Sequence, residues 1–141
     1  MTKLEAIEKQ YQRAIKRFEE ILAEKKSDIV RDSAIKRFEF TFDFSWKIIK
    51  AYLEEEKGVS CRSPKECFRE AFHQGLIDYD DLWLKMTNWR NEAVHTYSEK
   101  FADTLYKKLP DALKRFQLLE KRILHQSPIT NYHSLNPLSN K

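Results

Sequence analysis

A chain of 141 residues with 41% hydrophobic and 34% charged residues, but Gly 2 and Pro 4, is long enough for one hydrophobic core and too poor in turn residues for sandwiches, barrels or doubly wound sheets. Two glycines also exclude a glycine-rich phosphate loop, so the composition predicts a soluble all-α domain. The net charge of +4 and pI near 9.0 are shared by both halves of the chain, which is compatible with RNA binding without pointing to it.

In chain order, the first predicted helix runs from Thr2 to about Lys26. Leu4, Ile7, Tyr11, Ile15, Phe18 and Leu22 recur every three or four residues, and Thr2 with Glu5 forms a capping box. Ser27 or Asp28 caps a second helix, whose apolar stripe is Ala34, Ile35, Phe38, Phe42, Trp46, Ile49 and Leu53 and whose end is Gly58. Ser63-Pro64-Lys65-Glu66 starts a short third helix that Gly75 ends. Asp78 is the expected cap of a fourth, carrying Leu82, Trp83, Met86 and Trp89 and ending near His95. Ser98 caps the last, which keeps its periodicity from Phe101 to Ile123 with a kink or break expected at Pro110. The sum is an antiparallel up-and-down helical bundle of four main helices plus a short one over residues 1–125, with 126–141 a polar tail expected to be disordered.

The aromatic load, Phe 9, Tyr 6 and Trp 3, exceeds what one small core needs, so some rings are expected at a subunit interface. No apolar run reaches the roughly 18 residues of a membrane span, and the amino terminus, charged from the start, lacks a signal-peptide core. Cys61 and Cys67 match no zinc or redox spacing, which predicts reduced thiols and a cytoplasmic protein. His73, His125 and His133 stand at no spacing from His95 that suggests a metal; no metal and no cofactor are expected.

The densest chemistry lies in Trp89-Arg90-Asn91-Glu92-Ala93-Val94-His95-Thr96-Tyr97. On a straight helix Arg90 and His95 lie about 7 Å apart along the axis and roughly 140° apart around it. A helix ending at His95 lets the imidazole swing back towards the arginine. Imidazole is suited to proton transfer and guanidinium to gripping a phosphate, a combination sufficient to cleave RNA, whose 2′-OH is its own nucleophile. The plain structural reading pairs Arg90 with a carboxylate of the second helix and leaves His95 at a helix end. Glu39, Asp43 and Lys47 supply such a line at i, i+4, i+8: either a solvated ladder or a polar strip turned towards Arg90.

Arg90-Asn91 followed by His95-Thr96-Tyr97 resembles the R-x4-H-x-Y signature of the HEPN superfamily (higher eukaryotes and prokaryotes nucleotide-binding domains), and within it the HepT-like nucleotidyltransferase substrate-binding proteins. Arg37-Phe38-Glu39, Asp43-Phe44-Ser45-Trp46-Lys47, Ser63-Pro64-Lys65-Glu66, Arg69-Glu70-Ala71-Phe72, Gly75-Leu76-Ile77-Asp78 and Trp83 extend the resemblance over residues 3–125. It implies a homodimer in which Arg90 and His95 of both subunits meet in a ribonuclease cleft; Asn91, Asp43, Lys47 and Glu39 are the candidate supporting residues that the spacing adds. It also implies a toxin–antitoxin pair, the partner being a minimal nucleotidyltransferase that silences the toxin by transferring AMP to Tyr97. The alternative it carries is a non-catalytic subunit that binds substrate or nucleotide for that nucleotidyltransferase.

Overall fold

The structure, a computed structural model, describes residues 2–126. Five α-helices, α1 (Lys3–Leu22), α2 (Asp28–Tyr52), α3 (Pro64–His73), α4 (Leu82–His95) and α5 (Glu99–Gln126), account for its architecture. The expected all-α bundle is present. The caps follow the sequence closely: Thr2 and Glu5 form the reciprocal capping box, while Ser27, Ser63 and Ser98 accept from the backbone N–H groups of Val30, Glu66 and Phe101.

Long α2 is the spine, packed against all four other helices. Its stripe meets α1 and α5 in a cluster of rings: Phe116 stands 6.0–6.5 Å, centroid to centroid, from Tyr11, Phe18, Phe38 and Trp83. The Tyr11 hydroxyl, fully buried, donates to the Phe116 carbonyl at 2.8 Å. Burial pushes the Tyr11 phenol well above its ordinary range. Because rings from three other helices converge on this one, Phe116→Ala is expected to cost about 3–5 kcal/mol, read as a lower denaturant midpoint at unchanged slope. Phe40, Phe72, Tyr79 and Tyr97, in contrast, are exposed.

Four local expectations are corrected. The second helix does not stay α-helical to Gly58. It widens into a π turn over Leu53–Lys57, where the Leu53 carbonyl accepts from both Gly58 and Val59 and Gly58 takes φ 64°, open to glycine without strain. The Glu55 carboxylate on this turn accepts the Leu4 N–H at 3.0 Å, so the widened turn also caps α1. Asp78 does not cap α4, because Arg122 of α5 claims it at 2.7 Å; Asp80 accepts the Leu82 N–H instead, while its other oxygen binds Arg115 at 2.8 Å. Pro110 does not break α5: the proline is exposed, and buried Leu105, Leu109, Ala112 and Phe116 pack on both sides of the one lost hydrogen bond.

The fourth correction concerns the cysteines. Cys61 and Cys67 are joined in a disulfide rather than reduced. The chain turns at Ser63, so the first turn of α3 carries Cys67 back to a Cα–Cα distance of 5.1 Å from Cys61, and both are buried. Among the described residues no helix is long and apolar enough to cross a membrane. Helix α5 includes Gln126; the rest of the expected tail, with His133, lies outside the described residues, as does the side chain of His125.

Candidate functional site

The helix bearing Arg90 and His95 packs beside α2 and α3 through Trp83, Met86, Thr87 and Ala93. That contact fixes which way its polar residues turn. Arg90, half-buried, faces α2: its Nε lies 3.1 Å from Asp43 Oδ1, an ion-pair contact off the hydrogen-bonding line, and its Nη2 donates to Asp43 Oδ2 at 3.3 Å. Its Nη1 donates to Asn91 Oδ1 at 3.2 Å. Of the three-residue line on α2, therefore, only Asp43 joins Arg90. Glu39 pairs with Lys36 at 3.3 Å, and Lys47 stands 6.0 Å from the centre of the Phe44 ring. Asp43 and Asn91 hold the guanidinium side-on, leaving its orientation set before any ligand arrives.

His95 is the last residue of α4 and is exposed. No hydrogen bond or ion pair joins it to Arg90, whose partners are Asp43 and Asn91; five residues along a straight helix set two side chains roughly 140° apart around the axis. Arg90 is anchored and His95 projects from the open end of the helix. Among the described residues no cluster of three His, Cys, Asp or Glu side chains could hold a metal ion.

Tyr97 follows in the short α4–α5 connection and reaches back across the molecule. Its hydroxyl donates a short hydrogen bond to Asp32 Oδ1 at the start of α2. Partial burial, the hydrogen bond and the nearby Asp32 charge push the phenol up to about 12. Asp32 is held in turn by Arg31, whose Nε donates to it at 2.9 Å. The Arg31 guanidinium, 1% exposed, also bonds Glu99 at 2.8 Å and Asp103 at 3.1 Å on α5, with Asp28 at 3.6 Å. Hydrogen bonds from Arg31, and for Asp32 also from Tyr97, hold the Asp32 and Asp103 carboxyls below the usual carboxylate range. Arg31 and Asp32 are the site residues that sequence reasoning missed. A signal existed: Arg31 shares the stripe of Ala34, Ile35, Phe38 and Phe42, a basic residue in apolar register.

The raised Tyr97 pKa fixes a pH window. The Tyr97–Asp32 bond stabilises the fold fully below pH 10, where the phenol is protonated in both folded and unfolded chains, and its contribution is lost as pH rises from 10 through about 12. The stability difference between the native chain and Tyr97→Phe is therefore expected to be constant from neutral pH to pH 10 and to disappear between pH 10 and about 12, as followed by urea unfolding at stepped pH.

Comparison with known proteins bears on this geometry. A family model described as nucleotidyltransferase substrate binding protein like matches residues 8–125. The probable ribonuclease HepT of Haemophilus influenzae is 31% identical over a 93-residue alignment that covers 60% of this chain and 64% of that protein, so the match spans a little under two thirds of the relative. A crystal structure of a Thermus thermophilus protein superposes with a TM-score of 0.75 at 36% identity, over 79% of this chain and 97% of the other.

Proposed function

The chain belongs to the HepT-like nucleotidyltransferase substrate-binding protein family, and from that premise we propose that it is a ribonuclease toxin whose partner is a minimal nucleotidyltransferase. The observation that carries the reading is the disposition of Arg90 and His95 on α4: a guanidinium anchored by Asp43 and an imidazole presented, exposed, at the open end of the same helix.

The chemistry needs two kinds of group. Arg90 grips the non-bridging oxygens of an RNA phosphate and stabilises the negative charge that builds on them. An imidazole takes the proton of the 2′-OH as its oxygen bonds to phosphorus, and an imidazolium returns a proton to the 5′-oxygen as the P–O bond breaks. The products are a 2′,3′-cyclic phosphate and a free 5′-hydroxyl, and no metal is required. One His95 cannot accept and donate at once, and it does not meet its own Arg90. A homodimer with α4 helices across a two-fold axis supplies two imidazoles and two guanidinia to one cleft. Incubating the purified chain with tRNA or mRNA tests the activity, and sedimentation tests the assembly: a monomer at micromolar concentration overturns the composite cleft.

Regulation follows from Tyr97. Its Oη attacks the α-phosphorus of ATP on the nucleotidyltransferase, pyrophosphate leaves, and Asp32 accepts the phenolic proton. The attached AMP places a negative phosphodiester and its bulk two residues from the helix end that carries His95, where RNA must enter. A second reading, a non-catalytic subunit that binds nucleotide for its partner, is favoured by the existing Arg90–Asp43 pair, which suits phosphate binding alone.

A further inference from the structure

We infer that the groove between α1 and α2 is a track for single-stranded RNA leading to the Arg90 site. It is lined by Arg13 and Arg17 of α1 and by Arg37, Phe40 and Phe44 of α2, around a cleft of about 200 Å³. The ligand rests on the ribonuclease reading; the surface rests on its own geometry.

Charge is the first argument. Arg31, Arg90, Arg115 and Arg122 are each tied to a carboxylate. Arg13, Arg17 and Arg37 take part in no ion pair among the described residues, yet converge on one cleft. Arg13 and Arg17 are i, i+4 on one helix face, where like charges repel. Three guanidinia lining one cleft that has no carboxylate among its lining residues are matched by an anion, although Glu20 and Glu24 stand beside Arg17 and Arg37 at its far end.

Ring chemistry narrows the anion. Phe40 is 46% exposed on α2. The Arg37 guanidinium stands 6.0 Å and the Lys36 ammonium 5.9 Å from the centre of its ring, and Lys47 lies 6.0 Å from that of Phe44. Aromatic faces interleaved with cations bind the bases and backbone of single strands with little sequence preference; a duplex hides the base faces such rings need. Phe40 and Phe44 are three residues before and one after Asp43, the residue that anchors Arg90, so the groove and the guanidinium flank the same turns of α2, and a strand leaving the rings has only to cross that helix to reach the guanidinium. A second copy of the chain is a poorer occupant, since a two-fold contact would set arginines against arginines.

The test is fluorescence anisotropy of a labelled oligouridylate, single-stranded or annealed to oligoadenylate, with the full chain carrying His95→Ala so that RNA survives. The joint Arg13→Ala, Arg17→Ala and Arg37→Ala variant is expected to lose at least tenfold in single-strand affinity and to lower the slope of log affinity against log salt by about 2. Phe40→Ala is expected to lose roughly tenfold on single strands and Phe40→Trp to restore it. Circular dichroism confirms that each variant is folded. Undiminished affinity and slope overturn the inference, as does equal binding of duplex with Phe40→Ala silent, or a change of sedimentation without a change of RNA affinity. Failure here is separable from failure of the ribonuclease reading. A chain that cleaves RNA while the groove variants bind and cleave normally refutes only the track; Phe40-dependent binding in a chain that never cleaves refutes only the nuclease.

Discussion

If the chain is the ribonuclease proposed above, His95→Ala is expected to lower RNA cleavage by about 10²–10⁴-fold, the usual contribution of a positioned proton-transfer group, and to leave thermal unfolding nearly unchanged. The pairing of these outcomes comes from where the side chain sits. His95 is exposed at the carboxyl end of α4 and forms no ion pair or hydrogen bond with Arg90. At an exposed helix end with no ion pair to Arg90, its structural contribution is small. Arg90→Ala is the less clean probe, because it also strips the half-buried Asp43 carboxylate of its cation and mixes a structural loss with a chemical one. Arg90→Lys separates the two, keeping charge near Asp43 while losing the planar fork that grips a phosphate side-on. Cleavage by His95→Ala equal to that of the native chain, at matched protein and RNA concentrations, removes the enzyme reading and leaves the nucleotide-binding subunit.

Local grammar carried most of the fold. Thr2 with Glu5, and Ser63 with Pro64 and Glu66, act through hydrogen bonds spanning three residues, so they are readable from spacing alone. Asp78 obeys the same grammar and still fails as a cap, because Arg122, 44 residues on, competes for its carboxylate. Pro110 leaves α5 unbroken for a similar reason: helix-breaking is a local cost, and burial of Phe116 and its neighbours on either side is a tertiary gain. The site divides the same way. Arg90 against Asp43 was one of two readings of a residue pair 47 apart, open until α4 was laid on α2. Glu39 and Lys47 share Asp43's helix face yet miss Arg90, because only one turn of α2 lies within the guanidinium's reach. Tyr97 was legible as a motif residue; its partner Asp32, 65 residues away, was not, since nothing local links the start of α2 to the connection after α4. Arg31 showed itself only as an anomaly, a charge in the apolar stripe that four carboxylates explain.

Co-expression with the partner nucleotidyltransferase and ATP is expected to raise the intact mass of the chain by one or more AMP units, and Tyr97→Phe to abolish the gain; a gain that survives this substitution places the modification on another residue. Asp32→Asn is expected to slow the modification by on the order of 10²-fold at neutral pH, for a reason rooted in the hydroxyl's environment. With its pKa pushed up to about 12, the Tyr97 phenol carries its proton throughout the physiological range and is a weak nucleophile until that proton has somewhere to go. Asp32 already accepts the hydrogen bond, and Arg31 keeps its carboxyl ionised well into acid. Attack on the α-phosphorus can therefore pass the proton directly to it. Asparagine preserves the shape and an accepting oxygen but cannot take the proton, so the variant must react through the rare phenolate. The two chains then differ in pH profile as well as in rate. The native chain modifies at a rate independent of pH between about 6 and 9, with Asp32 ionised throughout, whereas the rate for Asp32→Asn climbs about tenfold per pH unit as the phenolate fraction grows. Tyr97 titrates lower in the variant once the carboxylate charge is gone, which shifts that climb without flattening it. Parallel flat profiles, with both chains modified equally fast, assign the proton acceptor to the nucleotidyltransferase and leave Asp32 only the task of holding the tyrosine in place.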